Sequence, residues 1–326
     1  MKHVGKVFTY LILAVNAFFV GILLLTAYSP HIHPVVHPVE SCMGLTFPIF
    51  LIINLCFLIF WLLVRYKFAL LPILGFAFCY PQIRTYFPIN IHTSDIPEGS
   101  IKILSYNIMS FGNMEKENGK NPVLEYIRAS NADIVCLQEH NVSSTAKIHL
   151  NARELQYESS YNGSAIYELK VNEDTITLIN NHLESNKLTK EDKVVYEEML
   201  KDPNAHKVKS GTRHLVGKLA EASAIRSKQA DVIAAEIAKS RHPYIIVCGD
   251  FNDTAISYTH RVIAENLDDA FTESGQGLGI SYNQNKFYFR IDNILISKNL
   301  KAYNCTVDRS IKDSDHYPIW CYITKR

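Results

Sequence analysis

Two long uncharged stretches near the N-terminus constrain the fold of this 326-residue chain more than any other feature. Val7–Ala27 and Leu45–Val64 contain no Asp, Glu, Lys or Arg over 21 and 20 residues. About 20 apolar residues in a helix cross the hydrocarbon core of a bilayer. The sequence therefore predicts transmembrane helices at about 7–27 and 45–64. A pair of buried core helices, or a cleaved signal peptide for the first stretch, are the alternatives.

A third apolar stretch follows the second one closely. Phe68–Tyr80 has 13 residues before polar side chains appear, and it extends further if Arg84 reaches up to the headgroups. Pro72 and Pro81 are tolerated in a membrane helix. We therefore expect a third helix at about 68–86, which makes residues 1–92 a membrane anchor with two or three transmembrane helices.

The distribution of basic residues predicts how this anchor is oriented. Lys2 and Lys6 precede the first stretch, Arg65 and Lys67 follow the second, and residues 28–44 contain no Lys or Arg. The positive-inside rule places both basic pairs in the cytoplasm. Three crossings then put the rest of the chain outside the cytoplasm, whereas two crossings leave it inside. We expect three crossings in the cytoplasmic (inner) membrane, with the second domain on the extracytoplasmic side.

Composition and charge exclude several other classes of protein. A hydrophobic content of 48% excludes a disordered chain, and seven Cys in so long a chain exclude a small disulfide-built domain. The overall net charge of +1 divides into +4 for residues 1–92 and −3 for residues 93–326. The second part therefore lacks the basic surplus that is typical of nucleic-acid-binding proteins.

Residues 93–326 show the pattern of an α/β domain. Short apolar runs predict strands, and charged segments with helical spacing separate them. The predicted strands are Ile101–Tyr106, Ile134–Leu137, Ile176–Ile179, Tyr244–Cys248, Ile291–Ile296 and Tyr317–Ile323, and the predicted helices are Asn121–Ser130, Thr189–Leu200 and Ala220–Lys239.

Polar side chains stand at one end of each of the six predicted strands. They are Asn107, Glu139, His182, Asp250 with Asn252, Asp292, and Asp315 with His316. Taken singly, each could be a turn residue or a surface charge. Taken together, they predict a site where strand ends meet on one rim of a sheet. Carboxylate and amide oxygens suit Mg²⁺ or Mn²⁺ rather than zinc, and the two histidines suit phosphate oxygens.

Six motifs, in order along the chain, resemble the endonuclease/exonuclease/phosphatase superfamily, which includes pancreatic-type deoxyribonucleases, abasic-site endonucleases and neutral sphingomyelinases. The motifs are SYN (Ser105–Asn107), DIVCLQE (Asp133–Glu139), NHLES (Asn181–Ser185), CGDFND (Cys248–Asp253), RIDNILIS (Arg290–Ser297) and SDH (Ser314–His316). The resemblance implies a four-layer α/β sandwich, in which two packed mixed β-sheets are flanked by helices. It also implies hydrolysis of a phosphate ester by in-line attack of water, assisted by a divalent metal, Mg²⁺ or Mn²⁺.

The resemblance also implies a role for each of these residues. Glu139, Asn107 and Asp315 resemble metal ligands. Asp250 resembles the residue that orients or deprotonates water, and His182 and Asn252 resemble phosphate contacts. Asp292 and His316 resemble a pair in which the carboxylate holds the imidazole, and Arg290 is assigned to substrate binding.

The substrate class is less well determined than the reaction. The stretch after Asn107 lacks basic residues that would grip a nucleic-acid strand, and Asn293 stands where many family members have an aromatic residue. We expect a phosphodiester or phosphomonoester near the membrane, such as a phospholipid headgroup, and the lipid bilayer as the partner of the anchor. No protein partner is predicted. The alternatives are a DNA or RNA nuclease of the same superfamily and a non-catalytic membrane receptor that uses the fold as a binding module.

Overall fold

The structure is a computed structural model of the full chain. It describes residues 2–112, 121–139, 152–155, 162–171, 173–201, 205–284 and 287–326.

The N-terminal part is helical. Its elements are α1 (Lys2–Tyr28), a 3₁₀ turn (Ser29–His31), α2 (Pro38–Ser41), a 3₁₀ turn (Cys42–Thr46), α3 (Phe47–Val64), a 3₁₀ turn (Tyr66–Ala69), α4 (Leu70–Phe78) and α5 (Tyr80–Tyr86). Lys6–His31 and Pro38–Val64 are long and apolar enough to cross a membrane. The third helix predicted at about 68–86 is instead divided into α4 and α5 at Cys79, whose backbone is not helical.

Polar side chains join the two long helices, which pack against each other. Trp61 Nε1 donates to Asn16 Oδ1 at 2.9 Å, and Asn54 Nδ2 donates to the Phe19 carbonyl of α1 at 3.0 Å. Asn16, Asn54 and Trp61 are all buried. Hydrogen bonds between apolar helices satisfy polar groups that hydrocarbon would leave unpaired, so these bonds determine the register of α1 against α3.

The short helix α4 runs in the same direction as α1. Phe68, just before α4, lies 6.3 Å from Tyr10 between ring centroids, near the start of α1. At the other end, the Tyr28 hydroxyl donates to the Phe78 carbonyl at 2.9 Å. The C-terminal ends of α1 and α4 therefore lie at the same end of the helical bundle.

In the remainder of the chain, the residues that the structure describes form two β-sheets and six further helices. The helices are α6 (Met109–Gly112), α7 (Pro122–Ala129), α8 (Lys190–Lys201), α9 (Ala205–Lys239), α10 (Tyr258–Ile263) and α11 (Ala270–Ser274). The strands are β1 (Ile101–Asn107), β2 (Ile134–Gln138), β3 (Ala152–Glu154), β4 (Ser164–Val171), β5 (Asp174–His182), β6 (Tyr244–Asp250), β7 (Leu267–Asp269), β8 (Asp292–Ser297), β9 (Leu300–Val307) and β10 (Ile319–Lys325).

Both sheets are mixed. One has the strand order β2-β1-β10-β9 and the other has the order β3-β4-β5-β6-β8-β7. The strand pairs β1–β2 and β5–β6 are parallel, and the other pairs are antiparallel. Ile103 and Cys321 of the first sheet pack against Ile246 and Ile294 of the second, so the main core lies between the sheets.

Helices cover the outer face of each sheet. Ile233 of α9 packs on Val247 and Leu295 of the six-stranded sheet. Val123 of α7 packs near Tyr106 of the four-stranded sheet. Helix, sheet, sheet and helix make four layers, so the predicted α/β sandwich is confirmed.

The six predicted strands are present, and four others were not predicted. The missed strands are β3, β4, β7 and β9. In β4 and β9, polar or charged side chains interrupt the apolar ones, because one face of each strand is only partly covered. An apolar run is therefore missing from both strands. Helix α9 begins 15 residues before the predicted start at Ala220, in a segment whose charged residues concealed the helical period.

The loop that follows β6 is one place where the α/β domain contacts the helical bundle. Ile256 in this loop is buried among Leu23 and Ala27 of α1, Phe47 of α3, and Cys79. These residues lie at the ends of the helices that are far from Lys6 and Arg65. The α/β domain and the α1–α3 connection therefore lie at the same end of the bundle.

Candidate active site

The topology brings the ends of the six predicted strands to one edge of the sandwich. In the parallel pair β5–β6, His182 is in register with Asp250, and in the antiparallel pair β6–β8, Asp250 is in register with Asp292. In the other sheet, Asn107 ends β1 beside the end of β2. Parallel strands end at the same edge, and an antiparallel neighbour begins there, so these polar side chains converge.

Asn107 lies between two carboxylates. Its Nδ2 donates to Glu139 Oε1 and to Asp250 Oδ2, both at 3.1 Å. Its Oδ1 accepts from the backbone N–H of Met109 at 3.2 Å. Two acidic groups that share one neutral donor carry more negative charge than their neighbours offset, which favours a cation beside them.

His182 contacts the same two carboxylates. Its Nε2 lies 3.6 Å from Glu139 Oε1 and 3.7 Å from Asp250 Oδ2. The Glu139 side chain is 40% exposed, whereas that of Asp250 is 1% exposed. The deep end of the site is therefore Asp250, and Glu139 stands towards solvent.

Asp292 holds His316 against Asp250. His316 Nδ1 lies 2.7 Å from Asp292 Oδ2, and its Nε2 lies 3.6 Å from Asp250 Oδ2. Burial acts against a charged imidazole, but Asp292 and Asp250 outweigh it and raise the pKa of His316 to about 10. The ring is therefore an imidazolium at neutral pH, able to donate a proton or a hydrogen bond.

Asp250 is buried as deeply as Asp292, each with 1% of its side chain exposed. Burial raises its pKa, and the nearby His316 acts in the opposite direction. Its Oδ1 accepts from the Asn252 backbone N–H at 2.8 Å. A carboxylate with a raised pKa is a better proton acceptor, so Asp250 has the environment of a general base.

Asn252 and Asp315 also lie at this site, and each has its own hydrogen-bond partners. Asn252 Nδ2 donates to the Leu183 carbonyl at 2.9 Å and lies 3.3 Å from Asp250 Oδ2. A phosphate contact from Asn252 therefore requires this amide to exchange partners. Asp315 lines the pocket described below, and its oxygen accepts from Ser314 Oγ at 3.4 Å.

Arg290 does not face the pocket. Its guanidinium is buried and binds Asp269 at 2.8 and 3.1 Å, and it also donates to Asn293 Oδ1 and the Thr85 carbonyl. The predicted substrate-binding role of Arg290 finds no support in this placement, because a neighbouring acid already satisfies the guanidinium. The residue instead ties α5 to the domain.

Two site residues have strained backbones. Glu139 has φ 55° and Asn252 has φ 50°. This left-handed region is unfavourable for residues other than glycine, although Asn tolerates it better than Glu. Strain of this kind persists where the surrounding structure holds a side chain in a functional position.

The side chains fit the divalent metal that the resemblance implies. Glu139 and Asp315 offer hard carboxylate oxygens, whereas a metal contact from Asn107 Oδ1 requires this amide to exchange partners, because its Nδ2 now faces Glu139 and Asp250. A second group, Asp250, Asp292 and His316, has ligand atoms within 4.8 Å of one another. Asn107 Nδ2 links Glu139 to this second group, because it donates to both Glu139 and Asp250.

A cavity of about 270 Å³ opens above these side chains. Asn186, Lys187 and Tyr282 also line it, and none of them was among the predicted site residues. Asn186 follows the NHLES motif directly, and its Nδ2 donates to the Asn252 carbonyl, so its position in sequence was a usable signal. Ser41, Cys42 and Leu45 of the helical part line the same cavity, and no motif marked them.

Comparisons with known families assign both parts of the chain. Residues 104–316 match the endonuclease/exonuclease/phosphatase family, and residues 9–86 match a domain of unknown function. The fold and site define a hydrolase that acts on phosphate esters. The chain belongs to the endonuclease/exonuclease/phosphatase family, as the motifs predicted.

Several solved structures align with this chain at low sequence identity. Danio rerio TDP2 in complex with a single-strand DNA product is 16% identical, with a TM-score of 0.48, over 70% of this chain and 100% of that one. The human Nocturnin catalytic domain is 14% identical, with a TM-score of 0.48, over 73% and 97%. A Bacteroides thetaiotaomicron mannosyl-6-phosphatase is 12% identical, with a TM-score of 0.43, over 69% and 100%. No curated protein matches the chain.

Proposed function

We propose that this protein is a membrane-anchored, divalent-metal-dependent phosphoesterase that hydrolyses a phosphodiester or a phosphomonoester. The observation that carries the proposal is the convergence of Glu139, Asn107, Asp250, His182 and the Asp292–His316 pair at one edge of the sandwich.

In this proposal, each group has one task. Glu139, Asn107 and Asp315 would hold a divalent metal, which when bound would supply positive charge to the phosphoryl oxygens. Asp250 accepts the proton of the attacking water, since burial raises its pKa. His316, kept charged by its two carboxylate neighbours, and His182 donate to the phosphoryl oxygens as negative charge develops. Asp292 positions the His316 ring.

We propose that residues 1–92 form the anchor and residues 93–326 the catalytic domain. Outward-facing apolar side chains on the long helices support membrane insertion, because Phe8, Phe18 and Leu63 are each more than 60% exposed. Soluble proteins rarely leave so many large apolar side chains in water.

The arrangement of the helices supports an extracytoplasmic catalytic domain. The domain lies at the end of the bundle opposite to the basic residues Lys6, Arg65 and Lys67, which the positive-inside rule places in the cytoplasm. Residues 66–78 rise about 20 Å, against a hydrocarbon core of about 30 Å. A third crossing of that length requires a locally thinned bilayer.

Charge supports a small phosphate ester over duplex DNA. Residues 93–326 carry −3, and a nucleic-acid groove needs cations that neutralise backbone phosphates. Among the cations that line the cavity, Lys187 pairs with Glu184 at 3.0 Å and Arg226 is buried beside Asp253. A phospholipid headgroup therefore suits the site better than a nucleic-acid strand.

The test is hydrolysis by the full chain in detergent, with Mg²⁺ or Mn²⁺ and after chelation. Substrates are p-nitrophenyl esters of phosphate, phospholipid vesicles and plasmid DNA. Asp250→Asn should lower kcat by about 10²-fold or more, the scale expected for a general base. Asp268→Asn is the matched control, because Asp268 lies at the far end of the domain and pairs with Arg326. Activity that survives chelation or Asp250→Asn refutes the proposal, and nicking of DNA without ester or lipid turnover supports the nuclease instead.

A further inference from the structure

The connection between the two long apolar helices forms part of the catalytic cavity. Ser41, Cys42 and Leu45 line the same cavity as Asp250 and His316. Membrane attachment alone does not require the connection between the helices to contact these side chains. The cavity wall therefore comes from both parts of the chain.

Close packing holds this wall in place. A Cβ atom added to Gly44 would lie 2.1 Å from the Ile256 carbonyl oxygen, so the two backbones are in direct contact. Arg261 Nε donates to the Pro30 carbonyl at 2.8 Å, at the start of the connection. Since Ile256 belongs to the loop that follows Asp250 and Asn252, the wall is positioned relative to the catalytic groups.

The lining of the cavity has two chemical characters. The predicted catalytic side chains supply acids, amides and imidazoles. Leu45, Leu219, Ile256, Phe287 and Phe289 supply apolar surface. Ile256 is also buried among the ends of the helices, so the apolar lining is continuous with the buried core of the helical bundle. At about 270 Å³ the cavity is slightly smaller than sites for drug-sized ligands, which start at about 300 Å³.

We propose that Cys42 and Leu45, together with Leu219 and Ile256, form an apolar subsite that receives an alkyl chain attached to the scissile phosphate ester. The substrate class is thus an amphipathic phosphate ester, with its phosphate at Asp250 and His316 and its chain along Leu45. This inference rests on the proposed phosphoesterase function and adds its substrate class. A bilayer lipid and a soluble alkyl phosphate share this chemistry.

The test compares esters that differ only in chain length. The full-length protein with Mg²⁺ is assayed on methyl and hexyl p-nitrophenyl phosphate, and on methyl and hexyl phosphate for a monoesterase. Each buried methylene contributes roughly a fourfold factor, so two or more buried methylenes should raise kcat/KM for the hexyl ester more than tenfold. Phosphatidylglycerol vesicles form a separate arm: their hydrolysis identifies the bilayer as the source of the ester, and hexyl turnover alone identifies a soluble source.

Variants of Leu45 test the wall itself. Leu45→Asp should reduce the ratio of hexyl to methyl kcat/KM to near one, and the milder Leu45→Ala should reduce it severalfold if the first variant does not fold. Val36→Asp is the matched control, because Val36 lies in the same connection, is 67% exposed and does not line the cavity.

The outcomes separate this inference from the function on which it rests. A wild-type protein that hydrolyses no phosphate ester refutes the phosphoesterase function and the subsite with it. Hydrolysis without chain-length preference, or a preference that Leu45→Asp leaves unchanged, refutes the subsite alone.

Discussion

A single methyl group at Gly44 should disturb the packing between the helical bundle and the α/β domain. Its Cβ would lie 2.1 Å from the Ile256 carbonyl oxygen, whereas ordinary contacts begin at 3.4 Å. The two backbones must therefore separate by about 1.3 Å. Ile256 is only 3% exposed, so the neighbouring helix ends leave it little room to yield.

Overpacking of this kind costs about 1–3 kcal/mol. At about 2–4 °C per kcal/mol, the midpoint of thermal unfolding of Gly44→Ala should fall by roughly 2–12 °C. Displacement of a cavity wall by about 1 Å should also lower kcat/KM on the hexyl ester by up to about 10²-fold. Both quantities are measured on the full chain in detergent.

Gly21→Ala is the control for this prediction. Gly21 lies in α1, and nothing lies within 4 Å of the position its Cβ would take. Ala is a better helix former than Gly, so this variant should be as stable as the wild type or more stable. A Gly44→Ala protein with wild-type unfolding midpoint and activity would show that the contact between connection and domain is not rigid.

Three further predictions concern other parts of the molecule. An alkaline phosphatase fusion after Arg326 should be active, since that reporter needs an oxidising compartment; activity of only a cytoplasmic reporter would leave two crossings. The Asp292→Asn/His316→Ala double variant should lose no more kcat than the worse single variant, because the two side chains act as one unit, and additive losses would contradict this. Arg290 lowers the pKa of buried Asp269, so the ion pair stabilises the fold above about pH 4, the unfolded pKa, and its contribution falls as pH drops. Asp269→Asn should lose about 3–5 kcal/mol at pH 7 and less at pH 3 in thermal unfolding, and equal losses would refute the assignment.

The family and the polar side chains at the strand ends were accessible from sequence because they follow from short-range patterns. An apolar run that ends in Asp250, or one that ends in Glu139, places a carboxylate at a strand end whatever the sheet order is. The length and lack of charge of α1 and α3 similarly predict helices without any tertiary contact. Hydrophobic periodicity carries this information locally.

Other features depend on partners far away in the chain and therefore left no local signal. On the sequence alone, Arg290 is assigned to substrate binding. In the fold, its guanidinium instead forms an ion pair with Asp269, which lies 21 residues away in the chain. Strand β4 is recognisable only beside β5, because half of its side chains are polar. The spacing of residues along the sequence does not show which charged side chain or which strand a residue contacts in the fold.

The sequence by itself determined an apolar helical segment, an α/β domain of a known family, and the side chains at its strand ends. Only the tertiary structure decided that the connection between the apolar helices closes the catalytic cavity. That contact joins Gly44 to Ile256, about 200 residues apart, through a backbone approach that no side-chain pattern encodes. Glycine permits such an approach because it has no Cβ, and only the folded chain shows what it approaches.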